Sequence, residues 1–284
     1  MKKVLVTGSN GQLGCCLKEA AKVHSGLEFL FVDKGTLDIT NVQNILTFFE
    51  QHKVDFCINA AAYTHVDNAE NDEENAYLVN AQGVKNISEV CNKLNVCLLH
   101  ISTDYVFDGN QKTPYNEIDP THPINVYGAS KLKGENYIRE TCKRYFIIRT
   151  SWLYSQFGHN FYKSILKFSQ EKDTLTITTE QTGNPTNAND LADALIQLII
   201  SDCNTYGVYH YSNTGGATWF DFANAIIAYS GLSHKVTIVK TDYYPTFAKR
   251  PTYSVLNTAK IESLKIVKTI PWHKSLKYLI DNKI

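Results

Sequence analysis

The sequence has no excess of charge of either sign. Its 28 lysine and arginine residues balance 28 aspartate and glutamate residues, so the formal net charge is zero. Proteins that bind nucleic acid or anionic membranes through their overall charge carry a basic excess or basic clusters. No run of like charges points to a local patch of that kind. The composition therefore predicts neither a nucleic-acid partner nor a membrane partner.

Long apolar stretches and paired cysteines are also missing. No segment approaches the ~20 apolar residues of a membrane span, and the first apolar run, Val4-Leu5-Val6, is too short for a signal peptide. The seven cysteines are odd in number and include no C-x-x-C pair. This usage fits reduced thiols better than a disulfide framework or a zinc site. We therefore expect a cytoplasmic protein.

The chain has no internal repeat and no low-complexity segment, but its first half alternates between short apolar runs and longer amphipathic segments. The apolar runs predict strands at 3–7, 28–32, 56–60, 97–102 and 145–150. The amphipathic segments predict helices at 12–23, 42–51, 74–94 and 130–141. Such alternation is typical of an α/β fold with a Rossmann-type, doubly wound parallel sheet.

The alternation becomes looser after Thr150. Helices are predicted at 160–168, 190–200, 220–230 and 272–280, and strands at 174–178, 207–211 and 236–239. We predict a dinucleotide-binding domain made of 1–150 and parts of about 186–206 and 235–258. A smaller mixed α/β region, about 151–185 and 207–284, is predicted to bind the substrate.

Three glycines are spaced G-x-x-G-x-x-G between the first strand and the first helix. Glycines allow a sharp turn and close approach of the backbone to a ligand, and a helix N-terminus offers N–H groups and a positive dipole end to a pyrophosphate. The flanking strand and helix favour this interpretation over a plain turn. The predicted contacts to NADPH or NADH come from Gly8, Asn10, Gly11, Gln12, Leu13 and Gly14.

Residues after the second and third strands complete the predicted cofactor site. Asp33 lies where an acid can bind the ribose 2′-hydroxyl of NADH, whereas the adjacent Lys34 could face the 2′-phosphate of NADPH. The sequence leaves that choice open. Asp38 and Ile39 are predicted to flank the adenine. The small residues after the third strand leave room for the cofactor, with contacts predicted from Ala61, Ala62, Tyr63 and Thr64.

Tyr127 and Lys131 are four residues apart, which places them on the same face of a helix. Tyrosine has a reference pKa of about 10, and a nearby ammonium group favours the phenolate. The pair is then predicted to act as a general acid for a carbonyl oxygen. Thr103, at the end of an earlier strand, could hold the same oxygen through its hydroxyl.

Further motifs accompany these residues along nearly the whole chain. They include 60–64 with Val66-Asp67, 102–109, 125–128, Arg149 through Tyr154, Asn160-Phe161, Pro185-Thr186 and Arg250-Pro251. Together they resemble the extended short-chain dehydrogenase/reductase superfamily and, within it, the dTDP-4-dehydrorhamnose reductase family.

The resemblance implies a reaction and a role for each matching residue. NAD(P)H would deliver a hydride to C4 of a dTDP-linked 4-keto sugar, with dTDP-L-rhamnose as the product. Tyr127 would protonate the oxygen, Lys131 would tune Tyr127 and bind the nicotinamide ribose, and Thr103 would orient the carbonyl. Asp104 and Trp152 match sugar-contacting positions. Asn160 and Arg250 are also predicted to bind the substrate.

One departure from the family pattern concerns a metal. Some members join two subunits through a magnesium ion held by acidic side chains, but the matching positions here carry Cys16 and Asn189. We therefore predict no metal site, and a monomer or a weak homodimer.

Two other functions stay open at this point. One is another nucleotide-sugar reductase, epimerase or dehydratase of the superfamily, the last two using tightly held NAD⁺. The other is a non-catalytic, nucleotide-binding regulatory subunit, which the fold alone does not exclude.

Overall fold

The computed structural model describes residues 1–282. Its strands are β1 (Lys2–Thr7), β2 (Leu27–Phe31), β3 (Phe56–Asn59), β4 (Cys97–Thr103), β5 (Tyr145–Thr150), β6 (Leu153–Tyr154), β7 (Thr174–Thr178), β8 (Thr182–Gly183), β9 (Thr186–Asn187), β10 (Gly207–His210), β11 (Ala217–Thr218) and β12 (Thr237–Thr241). Its α-helices are α1 (Gln12–Ala21), α2 (Val42–His52), α3 (Val66–Ala69), α4 (Glu73–Tyr77), α5 (Val84–Lys93), α6 (Val126–Thr141), α7 (Phe161–Glu171), α8 (Ala188–Ile200), α9 (Trp219–Tyr229), α10 (Ala259–Ser263) and α11 (Trp272–Asp281). A π-helical segment, Leu78–Gly83, joins α4 to α5, and a 3-10 turn, Asp104–Val106, follows β4.

Six strands form a parallel sheet in the order β10-β5-β4-β3-β1-β2. The chain passes from β1 to β2 on one side, and the next strand, β3, pairs with β1 on the other side. Loops that leave the carboxyl ends of β1 and β3 therefore diverge. Such a switch point opens a crevice at this edge of a parallel sheet.

Successive residues of β1 enter different apolar layers. Val4 and Val6 pack in the layer that contains α1 and α8, whereas Leu5 packs with side chains of α2 and α5 on the opposite face. All three are fully buried, as expected for a parallel strand covered by helices on both faces. This arrangement confirms the predicted doubly wound α/β fold.

The smaller region has its own apolar core. Strands β7 and β12 pair in parallel, and side chains from α7, α9 and α11 pack together with Tyr154. Every helix within residues 1–282 is too short or too polar to span a bilayer.

Two strands pair with a strand outside the region to which the sequence assigns them. Strand β10, which we assigned to the substrate-binding region, pairs with β5 at the edge of the central sheet and buries Tyr209 and His210. Strand β12, which we assigned to the dinucleotide domain, pairs with β7 and leaves most of its residues exposed or half-buried. Short apolar runs did not reveal which partner each strand would take. The division into two domains otherwise stays a prediction.

The helix predicted at 74–94 is interrupted by the π-helical segment. There the side chain of Asn80 accepts a hydrogen bond from the backbone N–H of Tyr63 (2.9 Å) and donates to its carbonyl oxygen (3.0 Å). A Cβ on Gly134 of α6 would lie 2.2 Å from the Asn80 carbonyl oxygen, so the two helices approach closely. The π-helical segment therefore connects the loop after β3 to α6, the helix that carries Tyr127.

Candidate active site

A cavity of about 890 Å³ lies at the carboxyl ends of β1, β3, β4 and β5. Most of the predicted site residues line it. They are Gly8, Asn10, Gly11, Gln12, Leu13, Gly14, Asp38, Ile39, Ala61, Ala62, Tyr63, Thr64, Thr103, Asp104, Tyr127, Lys131 and Trp152. One concave surface therefore brings the glycine turn together with the proposed acid, lysine and threonine.

The glycine turn depends on the absence of side chains. Gly8 has φ +63°, and a Cβ there would lie 2.7 Å from the carbonyl oxygen of Ala60. A Cβ on Gly14 would lie 2.5 Å from the carbonyl oxygen of Gly8. In the described chain, no side chain caps α1 and its first turn carries no acid, while the buried Gln12 Nε2 has no partner. These groups fit the pyrophosphate of a dinucleotide.

The end of the cavity near β2 carries Lys34, whereas Asp33 is not among the lining residues. The Asp33 carboxylate accepts hydrogen bonds from the Thr36 N–H (3.0 Å), the Thr36 hydroxyl (3.0 Å) and Asn10 Nδ2 (3.1 Å). The Thr36 bonds are the main reason that the pKa of Asp33 is lowered. Asp33 thus shapes its own loop and leaves a lysine facing the cavity, so these contacts do not support its predicted role at the ribose 2′-hydroxyl.

Helix α6 begins at Val126, four residues before the predicted start, because Asn125 caps it. The Asn125 Oδ1 accepts from the Gly128 N–H at 2.7 Å. A Cβ on Gly128 would lie 2.2 Å from the carbonyl oxygen of Tyr105, so glycine lets this helix start against the turn that follows β4. The cap places Tyr127 in the first turn of α6, next to Thr103.

Burial raises the pKa of Tyr127 above its ordinary value, and a hydrogen bond with the Thr103 hydroxyl only partly offsets this. Lys131 is not among the groups that shift the pKa of Tyr127; its Nζ donates to the carbonyl oxygen of Ile101 at 2.6 Å. Tyr127 is therefore a phenol at neutral pH. A phenol is the form that donates a proton.

Lys131 is buried at the base of the cavity. Burial lowers its pKa to about 8, and the charge of Glu135 acts in the opposite direction. Glu135 itself is fully buried and accepts two hydrogen bonds from Arg149, from Nε at 2.9 Å and from Nη2 at 2.7 Å. A buried ion pair thus lies one helical turn below the lysine.

Asp104 is a buried carboxyl at the reactive end of the cavity. Burial raises its pKa to about 7, and the neighbouring hydroxyl groups of Ser254 and Thr103 partly oppose the shift. Its Oδ1 accepts from the Thr103 hydroxyl at 3.1 Å, and its Oδ2 has no hydrogen-bond partner among residues 1–282. An unpartnered carboxyl oxygen in a cavity wall suits a polar ligand.

Trp152 lines the cavity on the side of the smaller region. Its ring stacks on Trp219 at a centroid distance of 3.6 Å, and its backbone has φ +43°. A Cβ on Gly183 would lie 2.6 Å from Trp152 Cε2, so the indole ring also approaches the Gly183 backbone closely. These two contacts hold the indole ring in place.

Two predicted substrate residues do not line the cavity. Asn160 caps α7, and its amide nitrogen donates to Gln12 Oε1, Ser155 O and Phe157 O at 2.9–3.1 Å. The Arg250 Nη2 donates to Asp67 Oδ2 at 2.7 Å. Their contacts hold loops together, and they give no support to the predicted substrate binding.

Several residues of the site were not predicted. Ser102, Thr150, Ser151 and His159 line the cavity. Trp219 and Glu135 do not line it but contact residues near it: Trp219 stacks on Trp152, and Glu135 accepts hydrogen bonds from Arg149. Ser102 and Thr150 each stand at the end of a predicted strand, which is the signal in the sequence that points to them. The others depend on contacts between distant segments.

The two positions at which the family resemblance raised the question of magnesium have other contacts here. Asn189 Nδ2 donates to Gln156 Oε1 at 2.9 Å, and Gln156 Nε2 donates back to Asn189 Oδ1 at 3.3 Å. Cys16 is buried, which raises the pKa of its thiol to about 12. Within residues 1–282, no three histidine, cysteine, aspartate or glutamate side chains are grouped to hold a metal ion.

Comparison with known proteins extends over the whole chain. The family described as RmlD substrate binding domain matches residues 1–284. A dTDP-4-dehydrorhamnose reductase of Aggregatibacter actinomycetemcomitans is 38% identical over 98% of this chain and 98% of its own. A spore coat polysaccharide biosynthesis protein of Bacillus subtilis is 38% identical over 100% of this chain and 98% of its own. The crystal structure of dTDP-4-dehydrorhamnose reductase from Bacillus anthracis in complex with NADP matches with a TM-score of 0.95 and 35% identity, covering 99% of this chain and 100% of that one.

Proposed function

The chain belongs to the RmlD substrate binding domain family, and from this premise we propose that it is an NAD(P)H-dependent reductase of a nucleotide-linked keto sugar. The substrate we assign is dTDP-4-dehydro-L-rhamnose, and the product is dTDP-L-rhamnose. The observation that carries this proposal is that Thr103, Tyr127 and Lys131 line the same cavity as the glycine turn. Full-length similarity to a dTDP-4-dehydrorhamnose reductase supports the choice of sugar.

The cofactor, when bound, supplies a hydride to C4 of the sugar. Its pyrophosphate would lie on the glycine turn, and the buried Lys131 would hold its nicotinamide ribose. Tyr127 gives its phenolic proton to the C4 oxygen as negative charge develops there. Thr103 donates a hydrogen bond to that same oxygen, which stabilises the developing charge.

The remaining lining residues would orient the sugar. Asp104 offers a carboxyl oxygen that has no protein partner, which suits a sugar hydroxyl. Trp152, stacked on Trp219, forms an apolar wall beside it. Contacts from Asn160 and Arg250 to the substrate stay a prediction.

The test is a coupled assay in which upstream enzymes make the keto sugar in situ. Loss of nicotinamide absorbance, with dTDP-L-rhamnose as the product, would establish the reaction. Folded protein that binds NADPH but oxidises none of it would favour another keto sugar or a regulatory subunit. Purification with tightly held, non-exchanging NAD⁺ would instead favour an epimerase or dehydratase.

We propose that NADPH is the preferred cofactor, and that Lys34 is responsible. Lys34→Ala should lower kcat/KM for NADPH by ~10–100-fold, because it removes one charge-assisted hydrogen bond to the 2′-phosphate. The value for NADH, which lacks that phosphate, should change little. Steady-state assays with both cofactors measure this preference.

Lys18 offers a matched control for Lys34. Its Nζ donates to Asn10 Oδ1 at 3.1 Å, close to the same end of the cavity, but it does not line the cavity. Lys18→Ala should affect the two cofactors alike. Equal losses of kcat/KM with NADPH and NADH in Lys34→Ala would show that Lys34 does not bind the 2′-phosphate.

The remaining proposals concern location and assembly. All seven cysteines lie among the described residues and are free thiols, which fits a reducing compartment such as the cytoplasm. We also propose a monomer or a weak homodimer that needs no magnesium. Gel filtration with magnesium and with EDTA measures this, and a magnesium-dependent dimer would contradict it.

A further inference from the structure

Two consecutive residues of β4 are bonded to α6 one helical turn apart. The carbonyl oxygen of Ile101 accepts from Lys131 Nζ at 2.6 Å, and the Ser102 hydroxyl donates to Glu135 Oε1 at 2.6 Å. The next residue along the strand is Thr103. These two bonds therefore fix the distance between the strand end that carries Thr103 and the helix face that carries Tyr127 and Lys131.

The Glu135 carboxylate is held from three elements. Besides Ser102 of β4, it accepts from Arg149 of β5, at 2.9 Å and 2.7 Å, and from Arg139 of α6, at 2.8 Å. Its side chain is fully buried, and that of Arg149 is 2% exposed. A carboxylate with this many charge-assisted bonds has one orientation, which a purely apolar contact would not impose.

The charged and titratable groups near Lys131 are few. Tyr127 and Glu135 lie on α6, His100 lies on β4, and Arg149 of β5 lies beyond Glu135. Burial, and then the charge of Lys131, lowers the pKa of His100 well below its ordinary value, so this histidine is neutral. Glu135 is thus the negative charge that faces the lysine.

We propose that Glu135 is the positioning residue of this active site: it fixes the end of β4 against α6 and supplies the charge that keeps Lys131 an ammonium ion. The assigned role in turnover rests on the proposed reductase function. Glu135 does not line the cavity. It acts through Ser102, which sets the place of Thr103, and through the electrostatic field at Lys131.

The two parts of this role can be separated by substitution. Glu135→Gln keeps the shape of the side chain but removes the charge. The pKa of Lys131 should then fall from about 8, so the ammonium form is lost at a lower pH. The alkaline limb of the kcat profile should move down by about 1 pH unit or more, the usual size of a close opposite-charge effect.

Ser102→Ala leaves the charge but removes the bond that ties the strand end to the helix. It should lower kcat by up to ~10²-fold, the scale of a small misplacement of catalytic groups. Its alkaline limb should stay where it is in the wild-type protein. An unchanged kcat in Ser102→Ala would overturn the positioning half of the proposal.

Asp190→Asn is the matched control for removing a buried carboxylate. Asp190 accepts from Asn213 (2.7 Å) and Ser275 (2.5 Å) and does not line the cavity. It should leave the pH profile of the folded enzyme unchanged. If Glu135→Gln does not fold, Glu135→Gln combined with Arg149→Met removes both buried charges together, which proteins often tolerate, and the alkaline limb should still move down.

A measurement without sugar separates this inference from the proposed reaction. In protein labelled with ¹³C-lysine, the Lys131 resonance is identified by its absence from Lys131→Met and is titrated with pH. A lower Lys131 pKa in the variant without Glu135 supports the inference even if the wild-type protein reduces no sugar. An unchanged Lys131 pKa overturns it, even if the enzyme is active.

Discussion

Tyr127→Phe should lower kcat by ~10²–10⁴-fold while NADPH still binds with wild-type affinity. The substitution removes the phenolic proton donor and keeps the ring, and general acid catalysis contributes on this scale. Because the hydroxyl acts on the C4 oxygen during the reaction, the loss belongs to turnover and not to cofactor binding. Steady-state kinetics give kcat, and the change in NADPH fluorescence on binding gives the affinity.

Tyr105 provides a control tyrosine in the same neighbourhood. Its ring meets that of Tyr127 edge-on at a centroid distance of 5.9 Å, and it is buried, but it does not line the cavity. Tyr105→Phe should therefore keep most of the turnover. Near-normal kcat in Tyr127→Phe, or equal losses in both variants, would show that Tyr127 is not the proton donor.

The pH dependence of the wild-type enzyme follows from two different shifts. Burial raises the pKa of Tyr127, so the phenol does not ionise in the neutral range. Of these two groups, Lys131, with a pKa of about 8, loses its proton first as the pH rises, about one pH unit above the Asp104 carboxyl, whose pKa is about 7. We therefore assign the alkaline loss of activity to Lys131, and the residual activity of Tyr127→Phe should keep the same alkaline limb.

The parts of the site that sequence could predict are those built from short segments. The glycine turn needs only a strand, three glycines and a helix, and the pair Tyr127 and Lys131 needs only helical spacing. The place of Thr103 follows from its position at a strand end. In a parallel sheet these ends meet at one edge, so the fold itself brings the three together.

The predicted contacts that the structure does not support involve polar side chains that already have partners within the protein. Asp33 has local donors in Thr36 that compete with a ribose. Asn160 fits a helix cap as well as it fits a pocket. Arg250 meets Asp67 across 183 positions of the chain. No periodicity in the sequence reports such pairs, and the same holds for Glu135 and Arg149.

Arg149→Met should lower the free energy of unfolding by ~3–5 kcal/mol, the largest stability effect we expect from a single change. The variant keeps an unbranched side chain of similar length but leaves Glu135 buried without its main partner, and an unpaired buried charge costs this much. Chemical denaturation at neutral pH measures the difference. Arg139→Met removes a partner of the same carboxylate that is 39% exposed, and it should cost no more than about 1 kcal/mol.

The destabilisation caused by Arg149→Met should depend on pH in a definite direction. Burial alone would raise the pKa of Glu135, but the charge and hydrogen bonds of Arg149, together with the Ser102 hydrogen bond and the charge of Arg139, hold it below its ordinary value. The stability that this pair provides is therefore fully present above the unfolded pKa of about 4.3 and is lost as the pH falls through the lower folded value. In Arg149→Met burial dominates, so the folded pKa of Glu135 lies above the unfolded one and the variant loses stability as the pH rises. The difference in unfolding free energy between wild type and Arg149→Met should thus be largest near neutral pH and should become smaller in acid. A difference that stays constant down to about pH 4 would show that the destabilisation comes from lost packing and not from the buried charge.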